Sequence, residues 1–263
     1  MMNSQTTITV LFFGDVIGKP GRTIVNKYLS ENPKVADLII ANIENVAHGF
    51  GVTQGHLLEL KNMGIEVFTG GNHTFDRKEI FQFIDQEPRL LRPANYPEGT
   101  PGSGFCFVQI AEVKIAVLNL MGRVFMEPLR SPFIVADELL PRLKEEAKIV
   151  IVDFHAEATA EKMALAWYLD GRVSAVLGTH THVQTADERL LSAGTAYITD
   201  VGCCGPYNGV IGMQKEGVFK RMIQQLPSRL EIAEGPARLN GVKVTIDLET
   251  GKATAIERVQ FTE

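Results

Sequence analysis

Cysteine is scarce in this chain, with only Cys106, Cys203 and Cys204 among 263 residues. An odd count without zinc-finger spacing argues against a disulfide framework or a thiolate zinc site, and reduced thiols in the cytoplasm are the simplest reading. A bond between the adjacent Cys203 and Cys204 would be sterically strained, so both read as packing residues. Long apolar runs are missing too, which argues against a membrane-spanning helix. Met1 to Thr9 lacks the basic start and small-residue cleavage pattern of a secretory leader. Positive charge is in short supply, with 26 Lys and Arg against 31 Asp and Glu for a net charge of -5. That deficit argues against a protein that grips duplex nucleic acid by its field. A small phosphate-bearing substrate is compatible with it, because a bound metal can supply local positive charge. No repeat, low-complexity run or Pro/Ser-rich linker divides the chain, so residues 1–263 read as a single domain.

What is present is an ordinary globular composition, 45% hydrophobic and 22% charged, arranged as short apolar runs that alternate with amphipathic ones. Strands are predicted over 8–13, 37–43, 66–69, 148–154, 173–177 and 195–198, and helices over 22–30, 53–62, 77–85, 136–146, 160–169 and 218–225. Asp76 reads as the N-cap of the third helix. Residues 105–110 and 113–120 read as an antiparallel hairpin, as do 241–248 and 253–261 at the tail. Residues 89–104 read as an irregular crossing and 203–217 as a glycine-rich loop. The sum is a layered α/β protein with some antiparallel edges.

The chemistry gathers at strand ends. Gly178-Thr-His-Thr-His182 follows an apolar strand, and strand alternation predicts that His180 and His182 share a side while Thr181 turns away. Alone, such a pair is equally well read as loop histidines on a polar surface. Asp15, Glu44, Asn72, His155 and His180, however, each fall at the carboxyl end of a different apolar strand. That rim is where open α/β sheets bind ligands. Carboxylates, carboxamides and imidazoles without thiolate suit a pair of first-row metals better than one structural zinc. Other residues have competing readings. His48 near Glu44 is a substrate contact or a loop histidine. Tyr207 in the glycine-rich loop is a base-stacking ring or a subunit contact. Arg22 at a helix start is a phosphate contact or a solvated arginine.

Gly14-Asp15, Gly71-Asn72-His73, His155 and Gly178-Thr-His-Thr-His182 resemble the ordered motifs of the calcineurin-like metallophosphoesterases. The longer strings Gly14-Asp-Val-Ile-Gly18, Glu44-Asn45, Gly71-Asn-His-Thr-Phe-Asp76, Asp153-Phe-His-Ala-Glu157 and Gly178-Thr-His-Thr-His-Val-Gln-Thr185 resemble the bacterial YmdB-like branch. Ile17 stands where the superfamily's first motif has a histidine, and Glu44-Asn45 stands for its Gly-Asp; the branch shares both replacements. The resemblance implies a four-layer α/β/β/α sandwich with mixed sheets. It also implies hydrolysis of 2′,3′-cyclic nucleotides by a hydroxide shared between two metals, which would be iron, with manganese or zinc satisfying the same ligands. Asp15, Glu44, Asn45 and His182 would hold one ion, and Glu44, Asn72, His155 and His180 the other, with His73 as the catalytic acid. Asp76 is read as capping its helix in preference to orienting His73. A phosphomonoesterase on the same scaffold, or a regulatory protein binding a cyclic nucleotide or an RNA-decay partner, is the alternative. Gly205 to Gly212 and an exposed tail hairpin would be the surfaces for a homo-oligomer.

Overall fold

A computed structural model describes residues 6–262; the first five residues and Glu263, counted in the single-domain reading, lie outside the described residues. The chain runs β1 (Thr7–Phe13), β2 (Asp15–Val16), α1 (Gly18–Glu31), β3 (Leu38–Asn42), α2 (Gln54–Asn62) and β4 (Val67–Thr69). It continues through β5 (Phe105–Ile110), β6 (Val113–Met121), α3 (Pro132–Glu146), β7 (Ile149–His155), α4 (Thr159–Leu169) and β8 (Ala175–Thr179). The last elements are β9 (Arg189–Leu190), β10 (Ala196–Ile198), β11 (Cys203–Pro206), α5 (Lys215–Gln224), β12 (Ala237–Asp247) and β13 (Ala253–Thr262).

The strands form two mixed sheets, one ordered β2-β11-β12-β1-β3-β4 with β13 on β12, the other β5-β6-β7-β8-β10-β9. Their apolar runs are continuous because both faces are covered. In β1, Val10 and Phe12 enter the core between the sheets while Leu11 and Phe13 meet the helices outside. In β7, Ile149 and Ile151 face inward while Val150, Val152 and Phe154 face α3 and α4. Helices α1 and α2 cover the first sheet through Ile24, Val25, Tyr28, Leu57 and Leu60. Helices α3 and α4 cover the second through Leu140, Leu143, Leu165 and Leu169. The result is the expected α/β/β/α sandwich.

Several local expectations change. Helix α1 begins four residues early, at Gly18, because Pro20 in a first turn forfeits no helical hydrogen bond. Helix α3 likewise begins at Pro132. The predicted helix over 77–85 is two short 3-10 turns, Lys78–Gln82 and Ile84–Gln86, and no side chain caps the first. The glycine-rich loop contains a strand, β11, which pairs with β2 and β12. The tail hairpin is only half exposed, since β12 lies inside the sheet between β13 and β1. Among the described residues no helix is long and apolar enough to cross a membrane.

Candidate metal centre

Parallel strands deliver the polar residues to one seam between the sheets. Asp15 follows β1, Glu44 and Asn45 follow β3, and Asn72 and His73 follow β4, all in the first sheet. His155 closes β7 and His180 follows β8, in the second. The close fit at the seam explains two glycines. A Cβ on Gly71 would lie 2.1 Å from the His155 ring, and one on Gly178 would lie 1.8 Å from the Thr199 carbonyl oxygen.

His180 and His182 converge, although strand alternation is not the cause. The strand ends at Thr179, and both histidines adopt left-handed backbone angles, φ 100° and 63°. Between them Thr181 turns away, its N–H and hydroxyl donating to Asp200 at 3.0 and 2.7 Å. Asp200 is held in turn by the buried Lys162 ammonium at 2.7 Å.

The three imidazoles share one arrangement. His155 Nδ1 meets the Thr179 hydroxyl at 2.9 Å, His180 Nε2 meets Glu157 at 3.0 Å, and His182 Nδ1 donates to the Ile211 carbonyl at 3.0 Å. With one nitrogen of each ring tied outward to an acceptor, the other presents a lone pair inward. Inside, His155 Nε2 lies 3.0 Å from Asn72 Oδ1, 3.1 Å from Glu44 Oε1 and 3.1 Å from His180 Nδ1. His182 Nε2 lies 3.1 Å from the Asn45 amide and 3.7 Å from Asp15 Oδ1. Asp15 Oδ1 and Glu44 Oε1 are buried with no hydrogen-bond donor. Apart from the Asn45 NH2 that faces His182 Nε2, the groups converging here are lone pairs and orphaned carboxylate oxygens, a donor set that suits a cation. Ligand atoms of Glu44, His155 and His180 all lie within 4.8 Å of one another.

The electrostatics agree. Burial alone would lower the His155 imidazole, yet Glu44, Asp15 and Asp153 outweigh it and raise it to about 9. The carboxylates thus draw positive charge toward this ring. Burial and the charge of His155 together push His180 down to about 3. Burial would raise Asp15 and Glu44, but the neighbouring imidazoles hold both below the usual carboxylate range.

Of the remaining candidates, His73 borders the cluster. Its N–H donates to Glu44 Oε2 at 2.9 Å, its ring packs edge-on against Phe50, and Nδ1 lies 2.8 Å from Asp76 Oδ2. Asp76 therefore holds the histidine rather than capping a helix, a correction that follows from the missing helix. Arg22 donates through Nε to Glu59 and through Nη1 to the Val46 carbonyl, at 2.7 and 2.9 Å. His48 is exposed and packs edge-on against His56. Tyr207, with Val183, Pro206, Ile211 and His182, lines a cavity of about 160 Å³ beside the cluster. The Arg238 guanidinium stacks 4.4 Å from the Tyr207 ring.

Asn42, Asp153 and Thr179 escaped notice as site residues. Asp153 is buried in β7 two residues before His155, hence on the same face. Its charge inside an otherwise apolar strand was the signal. Burial pushes its carboxyl up to about 7, only partly offset by His155.

A sequence model of the family described as "YmdB-like protein" matches residues 11–259. A Bacillus subtilis protein named 2′,3′-cyclic-nucleotide 2′-phosphodiesterase is 52% identical over 95% of this chain and 96% of its own length. The crystal structure of a hypothetical protein from Thermus thermophilus superposes with a TM-score of 0.93 at 42% identity, covering 97% of this chain and all of that one. A Mycoplasma pneumoniae structure described as a novel phosphatase gives 0.93 at 38% identity, covering 100% of this chain and 95% of its own.

Proposed function

This chain belongs to the YmdB-like protein family, and from that premise we propose that it is a dinuclear-metal phosphodiesterase that opens 2′,3′-cyclic nucleotides at the 2′ ester. The observation that carries this reading is the seam itself, where three inward lone pairs meet two orphaned carboxylates. Asp15, Glu44, Asn45 and His182 would hold one cation, and Glu44, Asn72, His155 and His180 the other, with Glu44 spanning both. Bound there, the cations would acidify a water and neutralise charge on the phosphodiester. Iron is the family's metal in our reading, and manganese or zinc would satisfy the same oxygen and nitrogen donors.

His73 would act as general acid. With Nδ1 engaged by Asp76, Nε2 is left to protonate the departing 2′ oxygen as water adds to phosphorus and the P–O2′ bond breaks. The products are a 3′-phosphate and a free 2′ hydroxyl. The cavity lined by Val183, Pro206, Tyr207 and Ile211 adjoins His182 and offers the base an apolar seat. The three buried, free cysteines suit a reducing cytoplasm, and residues 1–263 would work as one catalytic domain.

The test is metal analysis with turnover of 2′,3′-cyclic AMP, on protein purified without added metal. About two metals per chain and release of the 3′ isomer are expected. Metal with activity on monoesters alone would overturn the substrate. Neither metal nor turnover after reconstitution would leave a binding role. Tyr207→Ala is expected to raise KM for the cyclic nucleotide while leaving a base-free phosphodiester such as bis(p-nitrophenyl) phosphate unaffected.

A further inference from the structure

We propose that Asp153, acting through Thr179, is a positioning residue that fixes the tautomer of His155 and so keeps Nε2 bare for a metal. The inference rests on the metal reading above but concerns residues outside the ligand set. The polarity of the network can be followed from a backbone group, which can only donate. The Glu44 N–H donates to Asn42 Oδ1 at 3.2 Å, which fixes that amide's orientation. Asn42 Nδ2 must then donate, and its two hydrogens go to the shorter contacts, Asp153 Oδ2 at 3.1 Å and the Gly70 carbonyl at 3.3 Å, ahead of His155 Nδ1 at 3.4 Å. Asp153 Oδ1 accepts the Thr179 hydroxyl proton at 2.7 Å. That proton is therefore committed, and Thr179 Oγ1 has only a lone pair to offer His155 Nδ1 at 2.9 Å. Nδ1 carries the hydrogen, and Nε2 faces Glu44, Asn72 and His180 as a lone pair. Asn42, Asp153, His155 and Thr179 are all fully buried, so water does not compete for these bonds.

Asp153→Asn reverses the relay without changing its size. Asn42 is fixed by the backbone, so the new carboxamide must turn its oxygen toward Asn42 and its NH2 toward Thr179. Thr179 then accepts from that NH2 and donates to His155 Nδ1, which moves the imidazole hydrogen to Nε2 and blocks the ligand position.

The experiment combines ¹⁵N NMR of the imidazoles in metal-free protein at pH 10, where the His155 ring is neutral, with manganese titration of wild type, Asp153→Asn, Thr179→Ser and Thr179→Val. Asp153→Asn is expected to shift His155 to the Nε2–H tautomer and to weaken one of the two manganese sites by about 10–100-fold, as loss of such outer partners does. Thr179→Ser should keep wild-type affinity, and Thr179→Val should lose it to a similar extent. If Asp153→Asn does not fold, the serine and valine pair decides alone. An unchanged tautomer with unchanged affinity in Asp153→Asn, or equal affinities in the Thr179 pair, overturns the inference. Wild type that binds no manganese overturns the metal reading instead.

Discussion

At the residue scale, the proposed acid His73 is more exposed, at 29% of its side chain, than the three seam imidazoles. His73 sits between the proposed ligand Glu44 and a carboxylate that orients it, since its backbone N–H donates to Glu44 and its ring meets Asp76. The two attachments are separable. His73→Ala leaves the backbone bond to Glu44 intact, so metal content is expected to hold while kcat falls by about 10²–10⁴-fold, the range for loss of a general acid. Asp76→Ala removes one hydrogen bond to a charged group, roughly 1.5 kcal/mol, and is expected to lower kcat about tenfold with metal content unchanged. Parallel metal analysis and kcat measurement check both variants. A His73→Ala protein that loses its metal would show that the ring is a ligand and not an acid.

At the scale of elements, the His180–His182 turn owes its shape to a buried ion pair. Lys162 in α4 holds Asp200, and Asp200 takes two hydrogen bonds from Thr181 and one from the Gly202 N–H at 2.8 Å. Lys162→Met leaves that carboxylate buried without its cation, which costs about 3–5 kcal/mol. Urea unfolding of metal-free protein should show that loss, and a loss under about 1 kcal/mol would mean that the hydrogen bonds from Thr181 and Gly202 suffice. The pair also shows where sequence reading stops. The apolar runs of β1, β3, β7 and β8 were legible, and so were the ligand candidates at their ends, because burial on both faces leaves a near-continuous apolar record. Lys162 was not legible, since a lysine in an amphipathic helix reads as solvated until its partner across 38 residues is known. Strand β11 was hidden because Cys203-Cys-Gly-Pro206 carries turn residues, and only its partners β2 and β12 make it a strand. The left-handed angles of His180 and His182 are set by the same tertiary contacts, so the H-x-H spacing announced convergence for a reason the backbone does not follow.

At the scale of the whole molecule, the seven ligand candidates divide between the sheets. Asp15, Glu44, Asn45 and Asn72 come from the first, while His155, His180 and His182 come from the second. Cations bound between them would join two sheets whose remaining link at this rim is polar, since the apolar core between the sheets is built from residues farther down the strands, such as Val10, Leu38, Ile151 and Ala175. Metal should therefore stabilise the fold as well as serve catalysis. An ion that binds only the native state, at a free concentration about 100 times its Kd, contributes about 2.7 kcal/mol. For a chain of this size that corresponds to roughly 5–10 °C in Tm. Chelation is expected to lower Tm by at least this much, and readdition of manganese should restore it. Amide exchange should rise at the carboxyl ends of β3, β4, β7 and β8 and stay unchanged at their amino ends, which the apolar core holds together regardless. If chelation removed the metal and left both Tm and exchange unaltered, the two sheets would be held by packing alone. The polar seam would then be a catalytic surface with no part in joining them.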